Sequence, residues 1–143
     1  MALLTADVLV AGDLFLDLIM SGFDCWPQPG QEVFAKELRR EAGGGAAITA
    51  CGLAKLGSRA AVFGVAGNDE AGNCIAERLR ERGVETSALL FDSGMATALS
   101  VAVSTPRERT FFTFQGANKL LGAALDHAVG TEAFAHIRHV HLA

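Results

Sequence analysis

The sequence predicts an α/β fold built on a doubly wound, mostly parallel sheet, and three observations predict it. Residues 7–11 (DVLVA) and 60–66 (AAVFGVA) are short, continuous apolar runs of the kind that form strands covered on both faces. Each is followed in alternation by a segment with helical signals, residues 46–56 stopping at Gly57 and residues 70–82 stopping at Gly83. Strand, helix, strand, helix in that order requires crossovers between parallel strands.

The first run ends at Gly12, and residues 14–20 (LFLDLIM) extend it as an apolar stretch broken only by Asp17. Together they read as a buried strand running toward a site, where a carboxylate is unfavourable unless it is used. Residues 23–31 (FDCWPQPGQ), with two prolines and a glycine, form a loop, and residues 32–40 (EVFAKELRR) read as an exposed strand of a lid. Gly43, Gly44 and Gly45 then open a helix in which Ile48, Cys51 and Leu56 stand among small residues, a pattern for close packing. Asp69 takes the N-cap position of the second helix, which buries Ile75 and Leu79.

Residues 97–104 (TALSVAVS) and 108–114 (ERTFFTF) read as an antiparallel hairpin turning at Thr105, Pro106 and Arg107. Phe112 and Phe114 share one of its faces, with Phe111 on the other. Core packing is the default role for such aromatics, and a substrate-covering lid or a subunit contact is the functional alternative. Beyond the hairpin Thr131 is a candidate cap for a short helix, and residues 139–143 (HVHLA) read as a buried apolar strand. A buried strand at the last residue predicts truncation, because chain ends normally lie at the surface.

The 143 residues, half of them hydrophobic, are enough for one domain with a core of its own. A net charge of −4 and a pI near 5.5 give no positive field to attract nucleic acid or anionic lipid, so small-molecule or protein partners are favoured. Cys25, Cys51 and Cys74 lie far apart without a CxxC pair, which argues against a disulfide framework or zinc site and for a cytoplasmic setting. No basic leader precedes the first apolar run, and no stretch is long enough to span a membrane.

The glycine run is the strongest chemical signal. Glycines at a helix start leave backbone N–H groups free at the positive end of the dipole and place no Cβ in a ligand's way, so Gly43, Gly44 and Gly45 could hold hydroxyls or an anion; a tight turn is the plainer reading. Ala46, Ala47 and Ile48 stand where a P-loop needs Lys and Ser or Thr, and the GxGxxG dinucleotide pattern is absent, which disfavours a Rossmann-type oxidoreductase. Asp13 and Asp17 bracket the end of the first strand as candidate acceptors for substrate hydroxyls, with a turn role as the alternative for Asp13. His136, His139 and His141 are close in sequence but have no carboxylate or cysteine cluster beside them, so no metal site is assigned.

In order along the chain, GDLFLD, WPQPGQEV, AGGGAAITACGLAKLG, VFGVAGNDEAGNCIAERLRERGV and ERTFFTFQGAN resemble the PfkB (ribokinase-like) carbohydrate kinases. The resemblance implies that residues 1–143 are the N-terminal part of a single ribokinase-like domain, with lid strands near residues 14–40 and 96–115. It implies that Asp17 matches a substrate-binding aspartate, that Asp13 matches a position acidic in some members, and that Gly43, Gly44 and Gly45 match the backbone closing over the sugar. Ile48 departs from the pattern, because family members usually place there an Asn that contacts the sugar.

Phosphoryl transfer in that family depends on a C-terminal GAGD-like segment, which this sequence lacks. ATP and Mg²⁺ are therefore expected in the full-length protein, and this chain alone is expected to bind neither and to be inactive. The function implied is ATP-dependent phosphorylation of a sugar or nucleoside hydroxyl, the alternative being a non-catalytic sugar-binding or pseudokinase module. Arg39, Arg40, Arg107 and Arg109 fit either solvated surface or a phosphorylated substrate. By analogy, the open edges of the lid strands suit a homodimer.

Overall fold

The structure, a computed structural model, describes residues 4–129 and 134–143. Among the described residues eight strands form two four-stranded sheets. The first comprises β1 (Val8–Ala11), β4 (Ala60–Gly67), β5 (Leu89–Asp92) and β8 (His139–Leu142), all parallel, in the order β5-β4-β1-β8. The second comprises β2 (Phe15–Ser21), β3 (Glu37–Gly43), β6 (Leu99–Ser104) and β7 (Arg109–Phe114), in the order β3-β2-β6-β7. Within it β2 and β6 are parallel, and both outer pairs are antiparallel.

Alternation along β1 and β4 feeds two cores. Val10 and Val62 face helices α1 (Gly45–Lys55) and α2 (Glu70–Glu81), packing with Ala46, Ala47, Ala50, Ile75 and Leu79. Leu9 and Phe63 face the opposite way, toward Leu4 and the partly buried Leu121 and Leu125 of helix α3 (Leu121–Ala128). Phe63 also meets the Phe134 ring edge-on, with centroids 5.8 Å apart. Helices on both faces of a parallel sheet are the doubly wound arrangement the sequence predicts.

Both helix boundaries follow the glycine signals. Gly57 and Gly83 adopt left-handed φ angles of 87° and 78°, and the amides of Ser58 and Val84 reach back to the carbonyls of Leu53 and Leu79. The Asp69 carboxylate accepts from the Gly72 amide at 2.8 Å, capping α2.

Elsewhere the structure corrects the reading. Residues 7–20 are not one strand: the chain turns after β1 and starts β2 in the second sheet, because Leu14 (1% exposed) drops into the core at the corner. The buried Asn118 side chain holds that corner, accepting from the Leu14 amide at 3.2 Å and donating to the Leu14 carbonyl at 2.9 Å. The exposed strand expected at residues 32–40 is β3, which starts five residues later, at Glu37, and ends three residues later, at Gly43, with loop before it.

The hairpin is present, but Phe111, Phe112 and Phe114 are all more than half exposed rather than core. The last strand forms beside β1 yet is exposed at all four residues, since it is the edge of its sheet with one neighbour. A short 3₁₀ turn (Gly116–Leu120) and α3 occupy the segment after the hairpin, while Thr131 lies outside the described residues. No helix is long and apolar enough to cross a membrane among the described residues.

Candidate substrate site

The carboxyl ends of β1 and β8, the start of α1 and the near end of the second sheet converge. Open α/β sheets place ligand crevices at the carboxyl ends of their strands. Here the glycines set the packing. Gly43 ends β3 opposite Phe15, and a Cβ on it would collide with all three carboxylate atoms of Asp17, two residues further along β2. The Asp17 carboxylate therefore lies directly over the Gly43 backbone.

Gly44 has a φ of 91° and ψ of 156°, a conformation essentially restricted to glycine, and a Cβ on it would collide with the Asp13 carbonyl. Gly45 begins α1 and, with Gly12, packs against the Ala143 backbone. Helix α1 has no side-chain cap and no acidic residue in its first turn, so no side chain of its own helix offsets its positive end.

Asp17 is half-buried, and it forms no side-chain hydrogen bond or ion pair among the described residues. Burial pushes its carboxyl above the ordinary carboxylate value. Register places Asp17 opposite Glu41 on β3 and Ser100 on β6, with Ser100 in turn opposite Thr113 on β7. These four side chains form a polar row across one face of the sheet. Glu41 is engaged by Arg82 at 2.6 Å, and the hydroxyls of Ser100 and Thr113 stand 3.4 Å apart. Residue identity alone did not single out Ser100 and Thr113; the available signal was a serine at an alternate position within an apolar strand.

Of the residues selected from sequence, Asp17 and Gly43 meet through the carboxylate, and Gly44 meets Asp13 through its backbone. Ile48 lies in the first turn of α1, 68% exposed, and has no side-chain hydrogen-bonding group. His139 and His141 lie on one face of β8, opposite Val8 and Val10 of β1. Asp69 serves structure: its carboxylate accepts from the Thr97 hydroxyl at 2.6 Å and from the amides of Thr97 and Gly72 at 2.8 Å, locking the start of α2 to the segment entering β6. A separate cleft of about 490 Å³ lies between Asp24, Cys25 and Trp26 and the turn of the hairpin; Arg107 lines it, and Asp13, Asp17, Gly43, Gly44, Gly45 and Ile48 do not.

The family model for pfkB family carbohydrate kinase matches residues 5–143. The chain belongs to this family. It is 34% identical over 107 residues to "Probable fructokinase-4" of Arabidopsis thaliana, covering 73% of this chain and 31% of that protein. With Fructokinase-1 of Oryza sativa subsp. japonica it shares 38% identity over 87 residues, covering 60% of this chain and 26% of the relative. The crystal structure of ribokinase from Cryptococcus neoformans var. grubii serotype A, solved in complex with ADP, superposes with a TM-score of 0.74 at 25% identity, over 96% of this chain and 42% of that one. The fold is thus ribokinase-like, and the chain spans less than a third of the length of these two curated relatives.

Proposed function

We propose that this chain supplies the sugar-binding half of an ATP-dependent carbohydrate kinase, residues 1–143 being the N-terminal part of one ribokinase-like domain. The observation that carries the reading is Asp17: a half-buried carboxylate with no hydrogen-bond donor among the described residues, lying on a glycine beside the positive end of a helix. Sugar hydroxyls are the donors such a group lacks, and charge-assisted bonds of this kind are stronger than neutral ones. Asp17 accepts from substrate hydroxyls, while Gly43, Gly44 and Gly45 let the sugar approach the backbone and Asp13 lines the near edge. Fructokinase relatives favour a sugar over a nucleoside as the acceptor.

ATP and Mg²⁺ enter this proposal through the remainder of a full-length protein. Among the described residues no group of three or more His, Cys, Asp or Glu side chains stands together to hold a metal. The glycine run also lacks the Lys and hydroxyl of a nucleotide-binding loop. The residues here do not fit a metal–nucleotide complex, and no transfer step is assigned to them.

The second sheet is assigned as the lid over the sugar. Its other face carries Met20, Leu38, Val101, Val103, Phe112 and Phe114, with Leu38, Phe112 and Phe114 each more than half exposed. An uncovered apolar sheet face of this kind suits a second subunit, so a homodimer through the lid is part of the proposal. Three free cysteines suit the cytoplasm.

A non-catalytic sugar-binding role is the second reading, favoured by Ile48, which offers the ligand no hydrogen bond. The test is ADP release by the complete reading frame containing this segment, with D-fructose, D-ribose and adenosine as acceptors. Sugar-dependent turnover abolished by Asp17→Asn is expected. Sugar binding without turnover would support the second reading, and turnover that survives Asp17→Asn would remove the site.

A further inference from the structure

The polar row on the Asp17 face extends past the aspartate, and the extension has a chemistry of its own. Ser100 is 7% exposed, whereas Thr113 on the outer strand is open to solvent. Their hydroxyls are 3.4 Å apart, at the long limit of a hydrogen bond, and either can donate. A hydroxyl pair with one weak mutual contact retains both donor and acceptor capacity. Acting as donor and acceptor at once is what another hydroxyl requires of its site.

An anionic group is disfavoured here. Asp17, with no cationic partner among the described residues, borders Ser100 on the same row, and beyond it Arg82 is already committed to Glu41 at 2.6 Å. Of the two arginines on this face of the sheet, Arg39 lies opposite Ile19, further along the strands, and Arg109 donates to Ser104 at 3.0 Å at the distal end of the hairpin.

We propose that Ser100 and Thr113 form a specificity element that reads one further hydroxyl of a neutral polyhydroxylated substrate held by Asp17. The inference rests on the sugar-site reading given above. It assigns Asp17 the anchoring contact and the hydroxyl pair the discrimination between sugars that possess and sugars that lack one particular hydroxyl.

The experiment is calorimetric titration of the complete protein containing this chain with D-fructose and with its monodeoxy analogues, for wild type, Ser100→Ala/Thr113→Val and Asp17→Asn. Both changes in the double variant keep or reduce volume, and its melting temperature is recorded alongside. The double variant is expected to lose about 3- to 10-fold in affinity for D-fructose, the effect of one neutral hydrogen bond. One monodeoxy analogue is expected to bind wild type and double variant equally, because the hydroxyl read by the pair is already missing. Equal losses for every analogue, or no loss for D-fructose, would overturn the proposal while Asp17→Asn still abolishes binding. Unchanged binding by Asp17→Asn, or no binding of these sugars by wild type, would instead remove the underlying site and this proposal with it.

Discussion

Replacing Gly43 with alanine separates the site from the scaffold. Gly43 does not have a positive φ, so its backbone accepts alanine without strain, and the obstacle is the Asp17 carboxylate occupying the Cβ position. That obstacle is the end of a short side chain and can swing away. An off-rotamer displacement costs about 0.5–1.5 kcal/mol, while alanine lowers the entropy of the unfolded chain by about 0.4–1 kcal/mol. The two nearly offset, so unfolding stability should change by less than about 1 kcal/mol, a few degrees in melting temperature.

Binding responds differently. Each hydrogen bond from a sugar hydroxyl to the carboxylate contributes about 1.5–3 kcal/mol, so losing one weakens binding roughly 10- to 150-fold, and losing two roughly 10²- to 10⁴-fold. The assay is calorimetric titration with D-fructose beside a thermal melt. Gly44→Ala is the contrast, because its φ of 91° and contact with the Asp13 backbone leave nothing that can yield, and it should destabilise the chain outright. Sugar affinity unchanged in Gly43→Ala would refute the placement of Asp17 in the site. A stability loss above about 3 kcal/mol would refute the argument that only the carboxylate moves.

Other outcomes follow from the same geometry. Because burial raises the Asp17 carboxyl above its ordinary 3.8, ionised Asp17 opposes folding: Asp17→Asn should match wild type below that pH and melt higher as pH rises through the raised value, measured by calorimetric scans at a series of pH values. Sugar binding should run the opposite way in wild type, strengthening over that same rise as the carboxylate becomes an acceptor. Asn118→Ala removes both partners of the buried Leu14 backbone and should cost about 2–4 kcal/mol in urea unfolding. Thr97→Val leaves the Gly67 amide without its 2.8 Å acceptor and should cost about 1–3 kcal/mol in the same assay.

What was legible in the sequence was local. Gly57, Gly83 and Asp69 mark helix ends through backbone conformation and a side-chain cap, both settled within a few residues. The all-apolar β4 is buried at all eight residues, as its composition requires. The break between β1 and β2 was hidden because Gly12 and Asp13 are a weak turn signal between two apolar runs, and the group that fixes the corner is Asn118, a hundred residues away. The exposure of β8 and the hairpin aromatics depends on what lies across from them, which no pattern within the strand encodes. Ser100 and Thr113 join Asp17 only when the register of three strands is known.

Two aspartates show how structure separates scaffold from site when residue type does not. At Asp69 burial raises the carboxyl, but the Thr97 hydroxyl and the amides of Thr97, Gly72 and Ala71 outweigh it and bring the value below the ordinary one. Its ionised form thus stabilises the fold at neutral pH, an effect lost as pH falls from 3.8 through the depressed value. At Asp17 only burial acts, and ionisation opposes folding. A carboxylate that its own chain desolvates, with no donor among the described residues, is retained at a stability cost, and Gly43 gives up a side chain to accommodate it. Donors from outside the chain would reverse the sign of the Asp17 effect, so the sugar should raise the melting temperature of wild type but not of Asp17→Asn.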